Sequence, residues 1–147
     1  MLITTKRFKR SSNKELVYKL LKDKTNIFFT YAEIFVFLGA IGIKYRRRKS
    51  LEDTKLEPIA YTLFNDNATR FMDLVVLFET NDINSLDLST EESVKEYMQI
   101  IEEYANGGAE ILLTELEIHP EAAYEILLSF IEKEIREQFP SLIDDDL

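Results

Sequence analysis

The sequence contains no cysteine, one histidine, four glycines and three prolines in 147 residues. Without cysteine there are no disulfides, thiolate metal sites or cysteine nucleophiles, and the composition fits a reducing, cytoplasmic compartment. His119, between Ile118 and Pro120 at an expected helix boundary, has no second imidazole with which to build a ligand set, and a cap or surface position accounts for it. No Gly-rich phosphate loop and no Gly-x-Ser-x-Gly nucleophile elbow occurs. The first ten residues are basic but lack the apolar stretch of a secretory signal behind them. The longest apolar run is about half a membrane span. A magnesium site made of carboxylates is the one enzymatic reading left. Asp53-Thr54-Lys55 has the Asp-x-Lys spacing of metal-dependent nucleases, yet it lacks the preceding acid and the sheet that position such a site. The expectation is a soluble, non-catalytic chain without cofactor, metal or membrane contact.

Charge, by contrast, is abundant and unevenly placed. Residues 1–55 hold 14 of the 18 Lys and Arg but 5 of the 27 Asp and Glu, a net +9, which leaves −18 on residues 56–147. Such asymmetry points to a polyanion or an acidic partner at the front of the chain. The densest basic element, Lys44-Tyr45-Arg46-Arg47-Arg48-Lys49, follows the apolar run from Ile34 to Ile43. A helix C-terminus explains one or two of these cations through its dipole, but not five. The functional reading is a loop that grips phosphate. Arg46, Arg47 and Arg48 offer forked donors, Lys44 and Lys49 point charges, and Tyr45 a ring to stack on a base or pack on sugar. Lys6, Arg7, Lys9 and Arg10 extend the same surface. An acidic protein partner and pairing with the chain's own acidic half are the competing readings.

Helix signals dominate the remainder. Ser12-Asn13-Lys14-Glu15 and Thr30-Tyr31-Ala32-Glu33 are capping boxes, the second opening a helix through Ile34, Phe35, Phe37, Leu38 and Ile41 that ends near Gly42, where the chain can turn left-handed. Pro58 to Phe64 reads as a short extended segment or a single helical turn. Asp66 or Asn67 caps a helix over about residues 68–80, with Phe71, Leu74, Val75 and Phe78 at core spacing. Residues 81–88 are the best linker. Ser89-Thr90-Glu91-Glu92 forms a third box, and the helix behind it stops at Asn106-Gly107-Gly108 before another carries Ile111, Leu112 and Leu116. Pro120 begins the last helix, in which Tyr124, Leu127, Leu128, Ile131 and Ile135 alternate with glutamates that suit a solvated face or a basic partner. An acidic tail follows, ending in Asp144-Asp145-Asp146. The fold class is therefore all-α: a single compact helical domain of about six helices (1–147), with a basic part (1–80), an acidic helical part (89–138) and a tail (139–147). The outline of two capped helices is also that of a helix-turn-helix reader, but the second helix argues against it, because it is too apolar to face a DNA groove.

Several stretches together resemble the DNA phosphorothioation-associated protein 4 family: Ile27 through Gly42 with Arg46-Arg47-Arg48 behind it, then Glu57-Pro58-Ile59 and Phe64, and later Glu103-Tyr104-Ala105-Asn106-Gly107-Gly108. A fainter likeness, over about Phe35 to Phe78, is to the small E-type family of DNA sulfur modification proteins, which is helical, is associated with DNA binding and lacks an acidic C-terminal third. The resemblance implies an accessory protein of a bacterial DNA sulfur modification and restriction system in antiviral defence. Joined to the charge pattern, it leads to the expectation that the loop Lys44 to Lys49 contacts DNA phosphates while the acidic helices dock on a larger protein component. An adaptor or regulator that touches no DNA is the alternative.

Overall fold

The structure is a computed structural model that describes residues 1–138. The tail expected at 139–147 lies outside the described residues. The all-α expectation holds: five α-helices and one short antiparallel ribbon are formed among the described residues. The helices are α1 (Glu15–Thr25), α2 (Tyr31–Lys44), α3 (Asp66–Thr80), α4 (Glu91–Ile118) and α5 (Ala123–Gln138).

Helices α2 and α4 form the centre. The box at the start of α2 is made as expected: the Glu33 N–H donates to Thr30 Oγ1 at 3.1 Å and the Thr30 N–H donates to Glu33 Oε1 at 3.0 Å. Ile34, Phe35, Leu38 and Ile41 are buried. Two expected helix stops are corrected. Helix α2 runs through Gly42 to Lys44, and α4 continues through Asn106-Gly107-Gly108 for 28 residues, so two expected helices are one. The cause is the close approach of the two backbones. A Cβ on Gly42 would lie 2.0 Å from the Tyr104 carbonyl oxygen, and one on Gly108 would lie 1.9 Å from that of Leu38. Neither glycine has a positive φ. The cap of α4 also shifts by one residue, to a Thr90–Ser93 box.

The other elements wrap this pair. The Ser12–Glu15 box does not form, because Ser12–Lys14 make a 3-10 turn and Glu15 turns to Arg10. Helix α1 buries Val17, Tyr18, Leu20 and Leu21 while Leu16 is exposed. Pro58 to Phe64 resolves into both expected forms, a strand β2 (Ile59–Ala60) and a 3-10 turn (Tyr61–Leu63). Strand β2 pairs antiparallel with β1 (Arg7–Phe8), in the register Phe8 to Ile59. This places the Phe8 ring 5.1 Å from Phe35 and 5.4 Å from Phe64. Helix α3 is capped by Asn65, ahead of both expected candidates Asp66 and Asn67, with the Ala68 N–H donating to Asn65 Oδ1 at 2.8 Å. Its inward stripe is Met72, Val75 and Val76, which leaves Leu74 and Phe78 exposed, contrary to their expected place in the core. Helix α5 follows a 3-10 turn begun by Pro120 and buries Ala123 and Leu127.

Candidate functional site

The basic loop leaves α2 and is pressed onto α4. The Arg47 N–H donates to the Gly42 carbonyl at 2.8 Å, and the Lys49 N–H to the Glu103 carbonyl at 3.0 Å. Asn106 Nδ2 donates to the carbonyls of Lys49 (3.2 Å) and Ser50 (3.1 Å). A Cβ on Gly107 would stand 1.8 Å from the Arg47 carbonyl oxygen. The stretch Glu103 to Gly108, which contains the helix end expected at Asn106-Gly107-Gly108, is thus a saddle in mid-helix on which the loop backbone sits.

The loop side chains meet carboxylates of the same chain. Lys44 Nζ lies 3.2 Å from Glu134 Oε2, and the Tyr45 hydroxyl donates to Glu134 Oε1. Arg47 Nη1 reaches Glu110 Oε1 at 3.1 Å, and Lys49 Nζ reaches its Oε2 at 3.7 Å. Arg48 Nε donates to Glu103 Oε1 at 2.7 Å, with Nη1 3.8 Å from Glu79 Oε2, an oxygen that also accepts from the Tyr104 hydroxyl. The hydrogen bond to Glu134, then burial, pushes the Tyr45 phenol up to about 12, and the same bond holds Glu134 below the usual carboxylate range. Burial, then the bond to Glu79, pushes the Tyr104 phenol up to about 12. Arg46 is the exception. It has φ 55, its guanidinium lies 4.3 Å over the Phe78 ring, and it has no carboxylate partner among the described residues. Individual ion pairs of such exposure are each worth about 0–1 kcal/mol, so together they orient the loop more than they stabilise the fold.

The N-terminal basic segment reaches the same helix. Lys6 pairs with Glu91 at 2.7 Å and Arg7 with Glu57 at 3.6 Å. The Lys9 N–H donates to Glu102 Oε2 at 2.6 Å while its side chain is exposed. Glu102 is buried, and this desolvation pushes its carboxyl up to about 7 despite the Lys9 amide. Adjacent residues of α4, Glu102 and Glu103, therefore anchor the two basic segments side by side. Arg10 does not join that surface. It is 5% exposed, its guanidinium sits 4.5 Å over Tyr18 and 4.9 Å over Tyr31, and it bonds Glu15 and the Glu57 carbonyl. The two rings and one carboxylate make an inward site for a cation that sequence alone places outside.

Asp53 pairs with Lys55 at 3.3 Å, and His119 ends α4, its N–H bonded to the Glu115 carbonyl at 2.9 Å. Among the described residues no group of three or more His, Cys, Asp or Glu is placed to hold a metal ion, and no helix is long and apolar enough to cross a membrane. The residues that sequence reasoning missed are the partners Glu79, Glu103, Glu110 and Glu134 and the saddle residues Asn106 and Gly107. A glycine pair inside an otherwise strong helical pattern is the signal that points to close backbone approach there.

No curated protein and no solved structure matches the chain. The family described as DNA sulphur modification system-associated protein 4 matches residues 7–145. That span takes in the central helices, the basic loop and its saddle, and the chain belongs to the DNA sulphur modification system-associated protein 4 family.

Proposed function

We propose that the chain is a non-catalytic accessory component of the DNA sulphur modification system, an adaptor that docks on a larger protein component. The observation that carries this reading is the internal neutralisation of the loop, in which four of the five cations from Lys44 to Lys49 face Glu79, Glu103, Glu110 and Glu134. A polyanion clamp draws its affinity from counterions released by uncompensated cations, and here a phosphate must first displace a carboxylate. Large apolar side chains meanwhile stand on the surface: Leu63, Leu74 and Phe78 are 67%, 64% and 55% exposed. Such side chains suit protein contacts.

A second reading, contact with the DNA backbone, is favoured by Arg46, presented without a carboxylate partner among the described residues, and by the exposed Lys9. Lys44, Tyr45, Arg47, Arg48, Lys49 and Arg7 would join it after exchanging their carboxylates for phosphates.

One experiment separates the two. A labelled duplex, with and without phosphorothioate, is titrated against the wild type and Arg46→Ala/Arg47→Ala/Arg48→Ala, and co-purification with the other proteins of the system is measured in parallel. The adaptor reading expects a protein complex that persists in the triple variant and no duplex binding with a phosphate-clamp salt dependence. Duplex binding with a log–log salt slope of about −4, hence roughly 10²- to 10³-fold weaker between about 50 and 200 mM salt, and lost in the triple variant, would overturn it in favour of DNA.

A further inference from the structure

We infer that the cavity between the N-terminal basic segment and the first turns of α4 binds a small oxyanion, free or at the end of a larger molecule, between Lys9, Lys95 and the Glu102 carboxyl. This goes beyond the adaptor reading and stands independently of it. The cavity has a volume of about 600 Å³, with Lys6, Arg7 and Lys9 on the wall made by the N-terminal segment and Lys95 and Glu102 on the wall made by α4. Lys95 and Glu102 are seven residues apart, two turns along one face of that helix.

The cations around the cavity are not equally available. Lys6 is held by Glu91 and Arg7 by Glu57, whereas Lys9 and Lys95 are exposed and have no ion-pair partner among the described residues. Glu91 and Glu92, the other acids of the lining, occupy the first turn of α4, where they answer the positive end of the helix. Two ammonium groups are thus left for a ligand, and an anion is what they attract.

Glu102 supplies the third contact, from the buried side. It is 6% exposed; Oε2 accepts from the Lys9 N–H at 2.6 Å, and Oε1 has no hydrogen-bond partner among the described residues. A polar atom in that state on a buried side chain asks for a partner, and an anion oxygen provides it when the carboxyl is neutral and donates. Burial favours the neutral form up to about pH 7, and an anion alongside favours it further. Binding is therefore linked to a proton on Glu102. The charges that act on this carboxyl are Lys9 and, next on its helix, Glu103, with Lys6, Arg7, Lys95, Glu91 and Glu92 around the cavity. The one histidine, His119, lies at the far end of α4. The recess also sets the size of the ligand: a duplex carries its phosphates on a broad rod, whereas a free anion or a terminal phosphate reaches a side chain this buried.

The test titrates sulfate, whose charge does not change over the range, into the full chain by calorimetry between about pH 6 and 9, with adenosine monophosphate and a labelled duplex as separate arms. Sulfate affinity should be level below pH 7 and fall about tenfold for each pH unit above it. Glu102→Gln, whose amide still donates, should bind at every pH and lose this slope. Lys9→Ala/Lys95→Ala, with an unchanged circular dichroism spectrum, should bind about tenfold more weakly throughout. Sulfate binding at least as strong as that of the nucleotide marks a free anion as the ligand, and stronger binding of the nucleotide marks a terminal phosphate; both uphold the site. Binding that Lys9→Ala/Lys95→Ala leaves unchanged, or a slope that survives Glu102→Gln, overturns the inference. So does binding of neither anion, or of the duplex alone, and none of these outcomes bears on whether the chain docks on a larger protein.

Discussion

Replacing Gly107 by alanine tests whether the loop is truly seated on α4. In an ordinary helix interior the change stabilises, because alanine is favoured over glycine by about 1 kcal/mol. Here the new Cβ would lie 1.8 Å from the Arg47 carbonyl oxygen and 2.6 Å from its carbon, a backbone that cannot rotate away. Either the helices are forced apart, an overpacking cost of about 1–3 kcal/mol, or the loop lifts. Lifting gives up the Lys49 N–H bond to Glu103 and the two Asn106 bonds, each worth about 1 kcal/mol. After the helix gain is subtracted, Gly107→Ala should cost about 1–2 kcal/mol. Gly39 supplies the control: it lies inside α2, and a Cβ there meets nothing within 4 Å. Gly39→Ala should therefore gain about 0.5–1 kcal/mol. For a chain of this size the pair should differ in Tm by about 3–12 °C, measured by thermal and urea unfolding. A Gly107→Ala protein as stable as Gly39→Ala would refute the saddle.

Three further outcomes are expected. Glu102 has an ordinary value of 4.5 and is pushed up to about 7 by burial, so the fold favours its neutral form. Its contribution is complete below pH 4.5 and is lost as the pH rises through 7, about 3 kcal/mol across that window. Glu102→Gln should remove this slope and be the more stable protein above pH 7, and parallel urea midpoints against pH for both proteins would count against the assignment. Glu15→Ala leaves Arg10 buried and without its carboxylate, which should cost about 3 kcal/mol in chemical denaturation. Arg10→Met/Glu15→Leu should recover most of that loss, since Arg10 Nε and Glu15 Oε1 already lack partners. Thr30→Ala should cost about 1 kcal/mol and speed amide exchange in the first turn of α2; unchanged exchange there would show that the box is not what orders it.

What is legible in the sequence is local. The Thr30–Glu33 box lies within one helical turn, so it can be read from four letters, and the apolar run behind it marks α2 as a buried element. Gly42, Gly107 and Gly108 mislead because their local preference, a helix end, competes with a demand that exists only once two backbones meet. Leu74 and Phe78 share their helical spacing with Met72 and Val75, and periodicity does not say which of two overlapping stripes turns inward. The basic loop is visible as a count of charges, but its partners lie 31 to 90 residues downstream, where no spacing rule reaches. Arg10 is hidden for a related reason: the two tyrosines that enclose it come from different helices.

The pairing of Lys44, Arg47 and Arg48 with Glu134, Glu110 and Glu103 has a consequence for biosynthesis. Translation delivers the cations first and the carboxylates afterwards, and domains begin to fold while the chain is still growing. Until Glu110 has been added, Arg47 and Lys49 have no carboxylate to face, Arg48 has Glu79 first and Glu103 later, and Lys44 waits for Glu134. The loop is therefore fully paired only once α4, and for Lys44 α5, is complete. A chain interrupted between Lys49 and Glu79 would present all of these cations without the carboxylates that face them in the finished fold.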